Sequence, residues 1–508
     1  QAAPGVNYTL TAVGNPLYYG TTGYWNNEGN TGFETYDFSG FVLTAPDGTQ
    51  YNITRGTPNN VFYDTTGIGN YVSVSAYGPP VLTKIVQRSG DTISIGPGGI
   101  AHCATNSTTP TRSVWFDRDS QNRITAIHDQ ISGSNGIPVV KYVYNQDTGN
   151  LLQVLKLVDR TAGTYNTTKY HYDKPTFPHF ITSIEDPRGI PVARNEYDDS
   201  GRLTAVVDAD GKRTEFRHST TNKTEVVIDR LGHTNTFVYD LRGNVTATTN
   251  ALGGITLMDY DDYNNKTNEV AFLNGQPYAT NRFVCETNGW ILASINPLGH
   301  TNVFSYEGYG NLLTSTDPLG NVTGNNYDGD GNLTNSVARD SQGNTVEQSF
   351  SRYENGHLVE TRNGSNQVTA TFGYDSSGNL ATTTDANNFS HTFGYDANGN
   401  QIQSSYTWTP PGGSPVTVTT STEYDAAGRV SQSVDALGNT NRTFYTAGGK
   451  VDYTIDKFGN TNRFFYDARG NLVQTTYPDG LYTRTVYNED AKPFLTTDRN
   501  GITGTRTD

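Results

Sequence analysis

Four tyrosines, Tyr424, Tyr445, Tyr466 and Tyr487, follow one another at intervals of 21 residues. The words around them return as well: Tyr424-Asp425-Ala426-Ala427-Gly428-Arg429-Val430, then Tyr466-Asp467-Ala468-Arg469-Gly470-Asn471-Leu472. Between them stand Asp435-Ala436-Leu437-Gly438-Asn439 and Asp456-Lys457-Phe458-Gly459-Asn460. No other property constrains the fold as much, because a fixed period of this size demands one small unit stacked on copies of itself.

The unit is legible. Asp at the head of each word can bond the backbone ahead of it, and the Gly three positions on suits the positive φ that closes a hairpin with a bulge. Such glycines fall at 438, 449, 459, 470 and 480, one turn every ten or eleven residues. Between turns lie segments such as Thr461-Asn462-Arg463-Phe464-Phe465-Tyr466, rich in residues that suit a pleated strand. No window keeps the apolar spacing of a helix over three turns. Each repeat therefore reads as two short antiparallel strands and two tight turns. One hairpin is marginal in water, so the repeats must pair edge to edge into one long sheet, and a long twisted sheet must curl or close. The expected fold is all-β: a spiralling antiparallel sheet curled into a hollow shell or barrel. The repeated tyrosine is the expected inward anchor, with a hydroxyl that needs a polar partner.

Composition agrees with a thin, wet sheet. Apolar residues make up 34%, yet there are 33 Tyr and 21 Phe, with 54 Gly for the turns. A net charge of −15 argues against nucleic acid, whose phosphates need a basic face, and against anionic membrane surfaces. No run of eighteen apolar residues exists, so no membrane-spanning helix is expected. The chain begins with Gln1 rather than Met, which reads as a processed chain, secreted or on the cell surface. Of the two cysteines, Cys285 occupies a tyrosine slot, 21 residues before Tyr306. A disulfide with Cys103 is one alternative, and a pair of free thiols is the favoured one.

Taken in order, residues 1–112 lack the clean period and form an expected N-terminal β cap, with aromatic words at Tyr18-Tyr19, Tyr24-Trp25 and Tyr36-Asp37-Phe38. There Phe41 to Tyr51 reads as strand, Pro-Asp-Gly turn, strand. Exposed cap aromatics could stack on sugar rings, but filling the cap or sealing one end of the array is the simpler role. Residues 113–508 carry the repeat. Its slots are Tyr197, His218, Tyr239, Tyr260, Cys285, Tyr306, Tyr327, Tyr353, Tyr374, Tyr395, Tyr424, Tyr445, Tyr466 and Tyr487. The frame slips by four before Cys285, by five before Tyr353 and by eight before Tyr424, the last at the proline-rich loop around Pro410-Pro411. Such insertions belong at turns, where no ladder bond is lost. The last words stop inside a repeat, so either more chain or another molecule is expected to cover that edge.

About a dozen of these words in one frame resemble the tyrosine-aspartate repeat of the Rhs family. Its members include shell components of insecticidal toxin complexes and the extracellular shells of teneurins. The likeness covers roughly residues 113–508. It implies a β-sheet wound spirally into a large hollow barrel, holding an unfolded or inactive polypeptide cargo in the toxins and serving as an adhesion scaffold in teneurins. Toxin members end in a core segment with autoproteolytic aspartates. Asp186-Pro187-Arg188-Gly189 and Asp317-Pro318-Leu319-Gly320 resemble parts of it only superficially, and both sit in the frame as ordinary turns.

Candidate chemistry is thin. Carboxylate pairs occur at Asp208/Asp210, Asp261/Asp262 and Asp328/Asp330, all at turn positions, where a solvated turn Asp is the plain reading. Asp328-Gly329-Asp330-Gly331-Asn332 opens like a calcium loop, but Arg339 stands where the closing Glu belongs. His171, Asp173 and His179 lie close together with no third ligand at a suggestive spacing, and no zinc, Cys/His or Walker pattern exists. Asn-x-Thr words such as Asn244, Asn321 and Asn332 follow from the Gly-Asn turn and read as bare turns rather than glycan sites. No catalytic residue, cofactor or metal is expected. The leading expectation is a non-enzymatic extracellular scaffold that encloses or displays a cargo. The alternatives are a self-assembling fibre or adhesin, using sheet edges or surface glycans, and a polysaccharide-active enzyme.

Overall fold

The computed structural model describes residues 8–13, 40–45, 47–55, 58–64, 71–77, 80–489 and 491–505. All regular elements among them are β-strands, 43 in number, with no helix. Of these, 41 form one antiparallel sheet, and Pro58–Asp64 with Tyr71–Tyr77 form a separate hairpin. From Val81–Val86 onward each strand pairs with the next in sequence, so the sheet is a single long meander. Its two end strands, Thr9–Val13 and Thr503–Thr505, are not paired with each other, so no ladder closes it. The strand–turn–strand expected around Asp47-Gly48 is present, with Gly40 opposite Thr54 and Thr44 opposite Gln50. The aromatic words at Tyr18, Tyr24 and Tyr36 lie outside the described residues.

The turn words explain the register. At Asp328 the backbone N–H donates to the Asn332 carbonyl at 3.0 Å, and the Gly331 N–H donates to the Asp328 carbonyl at 3.1 Å. Gly331 carries φ +83°, which a side chain would strain. Where Gly is replaced in this role, Asn264 and Asn388 take the positive φ, as Asn tolerates best. At the flanking tyrosine the register slips: Asn326 faces Asn335, but Tyr327 faces Leu333. The same slip recurs at Tyr306, Tyr395, Tyr445 and Tyr466. It adds twist once per repeat. The long loop after Trp408 joins Gln401–Trp408 to Val416–Tyr424 without breaking the ladder, since Trp408 still faces Val416.

A single sheet has little interior. Among the described residues the buried apolar side chains are Ala45, Cys103, Ala126, Leu157, Ala205 and Val337. The chain exposes 30949 Å², against about 18,000 Å² for a compact monomer of its mass. Cohesion therefore rests on ladder hydrogen bonds and cross-strand pairs rather than on a deep core. The two faces differ. Along Tyr482–Tyr487, Tyr482, Arg484 and Val486 are exposed, while Thr483, Thr485 and Tyr487 on the tyrosine face are half-buried.

The ribbon returns on itself. Arg88 meets Glu307 after 19 intervening strands, and Lys212 meets Glu489 after 25. At about 4.8 Å per strand, one winding has a circumference of roughly 90–120 Å and a diameter of about 30–40 Å.

Candidate functional site

Three structures recur along the wall: the tyrosine slot, the turn, and the seam where windings meet. In the slot, the ring leans back over the preceding hairpin and its hydroxyl donates to a backbone carbonyl there. Tyr260 reaches Val245 O at 3.0 Å, Tyr306 reaches Ile291 O at 3.1 Å, and Tyr327 reaches Leu312 O at 2.9 Å. Tyr395, Tyr445 and Tyr487 bond Leu380, Val430 and Leu472 in the same way. Each acceptor lies 15 residues upstream, at or next to the first residue of a strand. Tyr197 and Tyr374 bond Ile181 and Leu358 across 16 residues, and Tyr424 bonds Gln401 across 23, spanning the long loop after Trp408. His218 keeps the pattern with Nε2 at 2.9 Å from Leu203 O, which makes it the polar-tipped substitute its position suggests. Cys285 sets its thiol 3.9 Å from Lys266 O. Burial pushes the phenols of Tyr327 and Tyr374, and the Cys285 thiol, above their ordinary pKa values.

In the turn, the leading Asp carboxylate is saturated by the protein. Asp328 Oδ1 accepts the Asp330 and Asn332 backbone N–H groups, and Oδ2 accepts the Asn332 side-chain amide. Asp240 with Asn244, Asp317 with Asn321, and Asp396 with Asn400 repeat this arrangement. The side-chain amide of Asn244, followed by backbone donors, holds Asp240 down at about 2 against its own desolvation. Asp317 is lowered by Asn321 for the same reason. The calcium-loop imitation at Asp328 is thus an occupied turn. The amide nitrogens of Asn244, Asn321 and Asn332, which a glycan would take, each donate to the leading Asp of their turn. Asp210 of the Asp208/Asp210 pair faces Arg469 across the seam at 2.6 Å.

The other candidate residues are scattered over separate partners. His171 lies 3.8 Å from Glu185, His179 bonds Asn150, and Asp173 accepts from Thr182. Cys103 and Cys285 are free thiols. Among the described residues no group of three His, Cys, Asp or Glu is placed to hold a metal ion. No helix of the described residues is long and apolar enough to cross a membrane.

The seam is the feature that sequence reading missed. Every repeat has one turn after its tyrosine and a second turn about ten residues later, so the ribbon has two rims. The second-turn rim of the first winding meets the tyrosine-turn rim of the next. Arg88 pairs with Glu307 at 3.1 Å and donates to Gly329 O at 3.2 Å. Arg112 bonds Asn379, and Asn398 donates to Asp129 at 2.8 Å. Further on, Arg188 caps the Asp467 and Ala468 carbonyls, Lys212 pairs with Glu489 at 2.6 Å, and Arg230 reaches Glu489 O at 3.0 Å. The receiving turns are small where the cations lie. A Cβ on Gly331 would sit 2.7 Å from Arg88 Nη1, and one on Gly399 would sit 2.5 Å from Arg112 Nη2. Burial disfavours the charge on Asp129, yet the bonds from Asn398, Ser132 and Arg160 outweigh it and hold its pKa below the usual carboxylate value. A small residue at the tip of a tyrosine-turn word was the available signal, but nothing in the sequence said which turn it would face.

The family model for the RHS repeat matches residues 197–234 and 374–414. Both matches begin on a slot tyrosine, Tyr197 and Tyr374. No curated protein matches the chain. Among solved structures, the chain is similar to the complex TcdB2-TccC3-Cdc42 at 12% identity and TM-score 0.41, over 87% of this chain and 34% of that one. It is also similar to TcdB2-TccC3 without its hypervariable C-terminal region, at 12% identity and TM-score 0.40, over 92% and 32%. The Photorhabdus luminescens Tc holotoxin pore matches at 12% identity and TM-score 0.35, over 90% and 29%. The chain spans about a third of the length of those solved chains.

Proposed function

The chain carries RHS repeats, and from that premise we propose that it is a non-enzymatic wall that encloses a polypeptide cargo outside the cell. The observation that carries this reading is the seam. A ribbon that only curled would leave a slot between windings, whereas here turn meets turn from Arg88 to Arg230, so the windings form one surface around a common space. A diameter of about 30–40 Å is wider than the side chains of a single layer can fill. The tyrosine face is the concave one, since curvature crowds side chains on the inside of a bend and this face is the less exposed. The slot tyrosines, with His218 and Cys285, anchor each hairpin to its predecessor, and the wall is built from the repeats of 113–508 together with the strands from Val81 that precede them in the same meander. The saturated turn carboxylates leave little free acid-base chemistry in the repeats, which supports containment over catalysis.

The test is protection. An unstructured polypeptide fused after Asp508 is expected to resist trypsin at least tenfold longer than the same polypeptide free. Resistance should fall in the seam variant Arg188→Glu with Arg230→Glu. Cleavage of the fused and free polypeptides at equal rates would remove the enclosure reading.

A further inference from the structure

Three residues before the slot tyrosine, arginine stands singly at Arg194 and Arg282. It then occurs three times in succession, at Arg442, Arg463 and Arg484. In those last three repeats the residue just before the tyrosine is apolar: Phe444, Phe465 and Val486. Both positions alternate with the tyrosine along the strand, so they share the sheet face away from its ring. All six side chains are exposed there, Phe465 at 47%. Windings add at the rims and leave a sheet face uncovered, so this exposure does not depend on where the sheet stops.

The surroundings of the three arginines are neutral. Earlier on the same face Arg213 pairs with Glu196 at 3.0 Å, and Arg362 with Glu360 at 2.6 Å. By contrast, Arg442 Nε donates to Gln432 Oε1 at 3.0 Å, and Arg463 lies over the Tyr453 ring at 4.9 Å. Arg484 stands opposite Gln474 on one side and Thr497 on the other. Followed in register from Gln432 through Thr505, the strand positions of this face hold no Asp or Glu. Glu423 borders the stripe with its carboxylate bonded to the Gln432 amide at 2.9 Å. A chain of net charge −15 thus carries a row of three cations with no counter-charge among those strand positions. Like charges in a row repel, and an anion laid along them relieves the repulsion.

The spacing selects the anion. Successive arginines are two strands apart, with Val451–Ile455 and Leu472–Thr476 between them. That is about 9.6 Å at the usual strand separation. A polyproline II chain repeats every three residues, about 9.3 Å. The rings narrow the choice further. Phe444 stacks on Tyr453 with centroids 4.3 Å apart and planes 13° apart, and Arg463 lies on the next strand beyond. Rings stacked from strand to strand stand upright and turn their edges outward, so they offer a sugar no flat platform. Ring edges beside aliphatic side chains suit the prolines of an extended peptide.

We propose that this face binds an extended acidic polypeptide in the polyproline II conformation. A carboxylate at every third residue meets Arg442, Arg463 and Arg484 in turn, and the residues between rest on Phe444, Phe465 and Val486. Each arginine fork can take its carboxylate through two hydrogen bonds. The peptide runs across the strands and does not depend on what the wall encloses.

Microscale thermophoresis of the 508-residue chain tests this, with a peptide of five Glu-Pro-Pro repeats as the titrant, up to about 5 mM. Saturable binding is expected, at least tenfold tighter at about 0.05 M than at about 0.5 M salt. A peptide of equal charge with Glu at every second residue should bind more weakly, and five Lys-Pro-Pro repeats should not bind. R463A removes the central cation. Q474E keeps every arginine and places a carboxylate opposite Arg484 at nearly unchanged shape. Each should weaken binding about fivefold, the effect of one exposed ion pair, with circular dichroism as in wild type. No saturable binding at 5 mM, or equal binding by both variants, would overturn the proposal. Equal binding of the two glutamate peptides would overturn the three-residue match. A uronate oligosaccharide that binds more tightly than the peptide, and weakens in the same variants, would overturn it in favour of an acidic glycan.

Discussion

At the scale of single residues, one bond is repeated along the wall. The tyrosine hydroxyl satisfies a carbonyl at a strand start, where the turn and bulge leave the ladder incomplete, and the ring covers the hairpin between. Tyr327→Phe removes the hydroxyl's bond to Leu312 O, a carbonyl that keeps the Asn325 amide, and leaves the ring in place. It is expected to cost about 1 kcal/mol, the usual net worth of such a bond. Tyr327→Ala also removes the ring, and the loss should rise to about 3 kcal/mol. Urea unfolding measures both, and equal costs for the two variants would show that the hydroxyl is idle. His218 and Cys285 mark how far the slot stretches: imidazole preserves the bond at 2.9 Å, while the thiol stands off at 3.9 Å.

At the scale of elements, the turn holds the charge that matters for pH. Asp240, Asp317, Asp340, Asp435 and Asp456 each bond the amide of an Asn four residues on, and this bond chiefly lowers each pKa. In the unfolded chain these groups titrate near 3.9. A folded value below the unfolded one means the native state favours the charged form. The stabilisation is therefore complete above about pH 4 and is lost as pH falls through the folded values, about 2 at Asp240. Unfolding midpoints in urea are expected to be flat between pH 5 and 7 and to drop steeply from pH 4 to 2. An Asp317→Asn, Asp435→Asn double variant should start lower and fall less over that window. A wild-type profile that is flat down to pH 2 would contradict the role given to these turns. Strand, turn and bulge were all legible in the sequence, because Asp, Gly and Tyr act within one or two repeats of themselves. Local chemistry repeated at a fixed interval leaves a periodic trace, which is why the hairpins around Gly459 and Gly470 stand out in the amino-acid sequence.

The whole molecule is where that legibility ends. Its windings meet through pairs such as Arg188 with Ala468 and Asn166 with Ala447, 280 and 281 residues apart. Those separations follow from sheet curvature, a sum of small twists at each bulge and insertion, and no motif encodes such a sum. The slips before Cys285, Tyr353 and Tyr424 even erase the phase between the partners. Individually these contacts are modest, since exposed ion pairs contribute at most about 1 kcal/mol. Collectively they decide whether the ribbon is a wall or an open coil, because the strand ladder itself is indifferent to the choice. Salt should therefore separate the two kinds of cohesion. Raising ionic strength from about 0.1 to 1 M shortens the screening length from roughly 10 to 3 Å and weakens Arg88–Glu307, Lys212–Glu489 and Asp210–Arg469. Small-angle scattering, at concentrations where the chain is monomeric, is expected to show the radius of gyration increasing with salt while circular dichroism of the strands holds constant. The triple variant Arg88→Ala, Arg188→Ala, Arg469→Ala should show the expanded radius already at low salt. If the variant stays as compact as wild type, curvature alone holds the windings in place and the seam is only their point of contact.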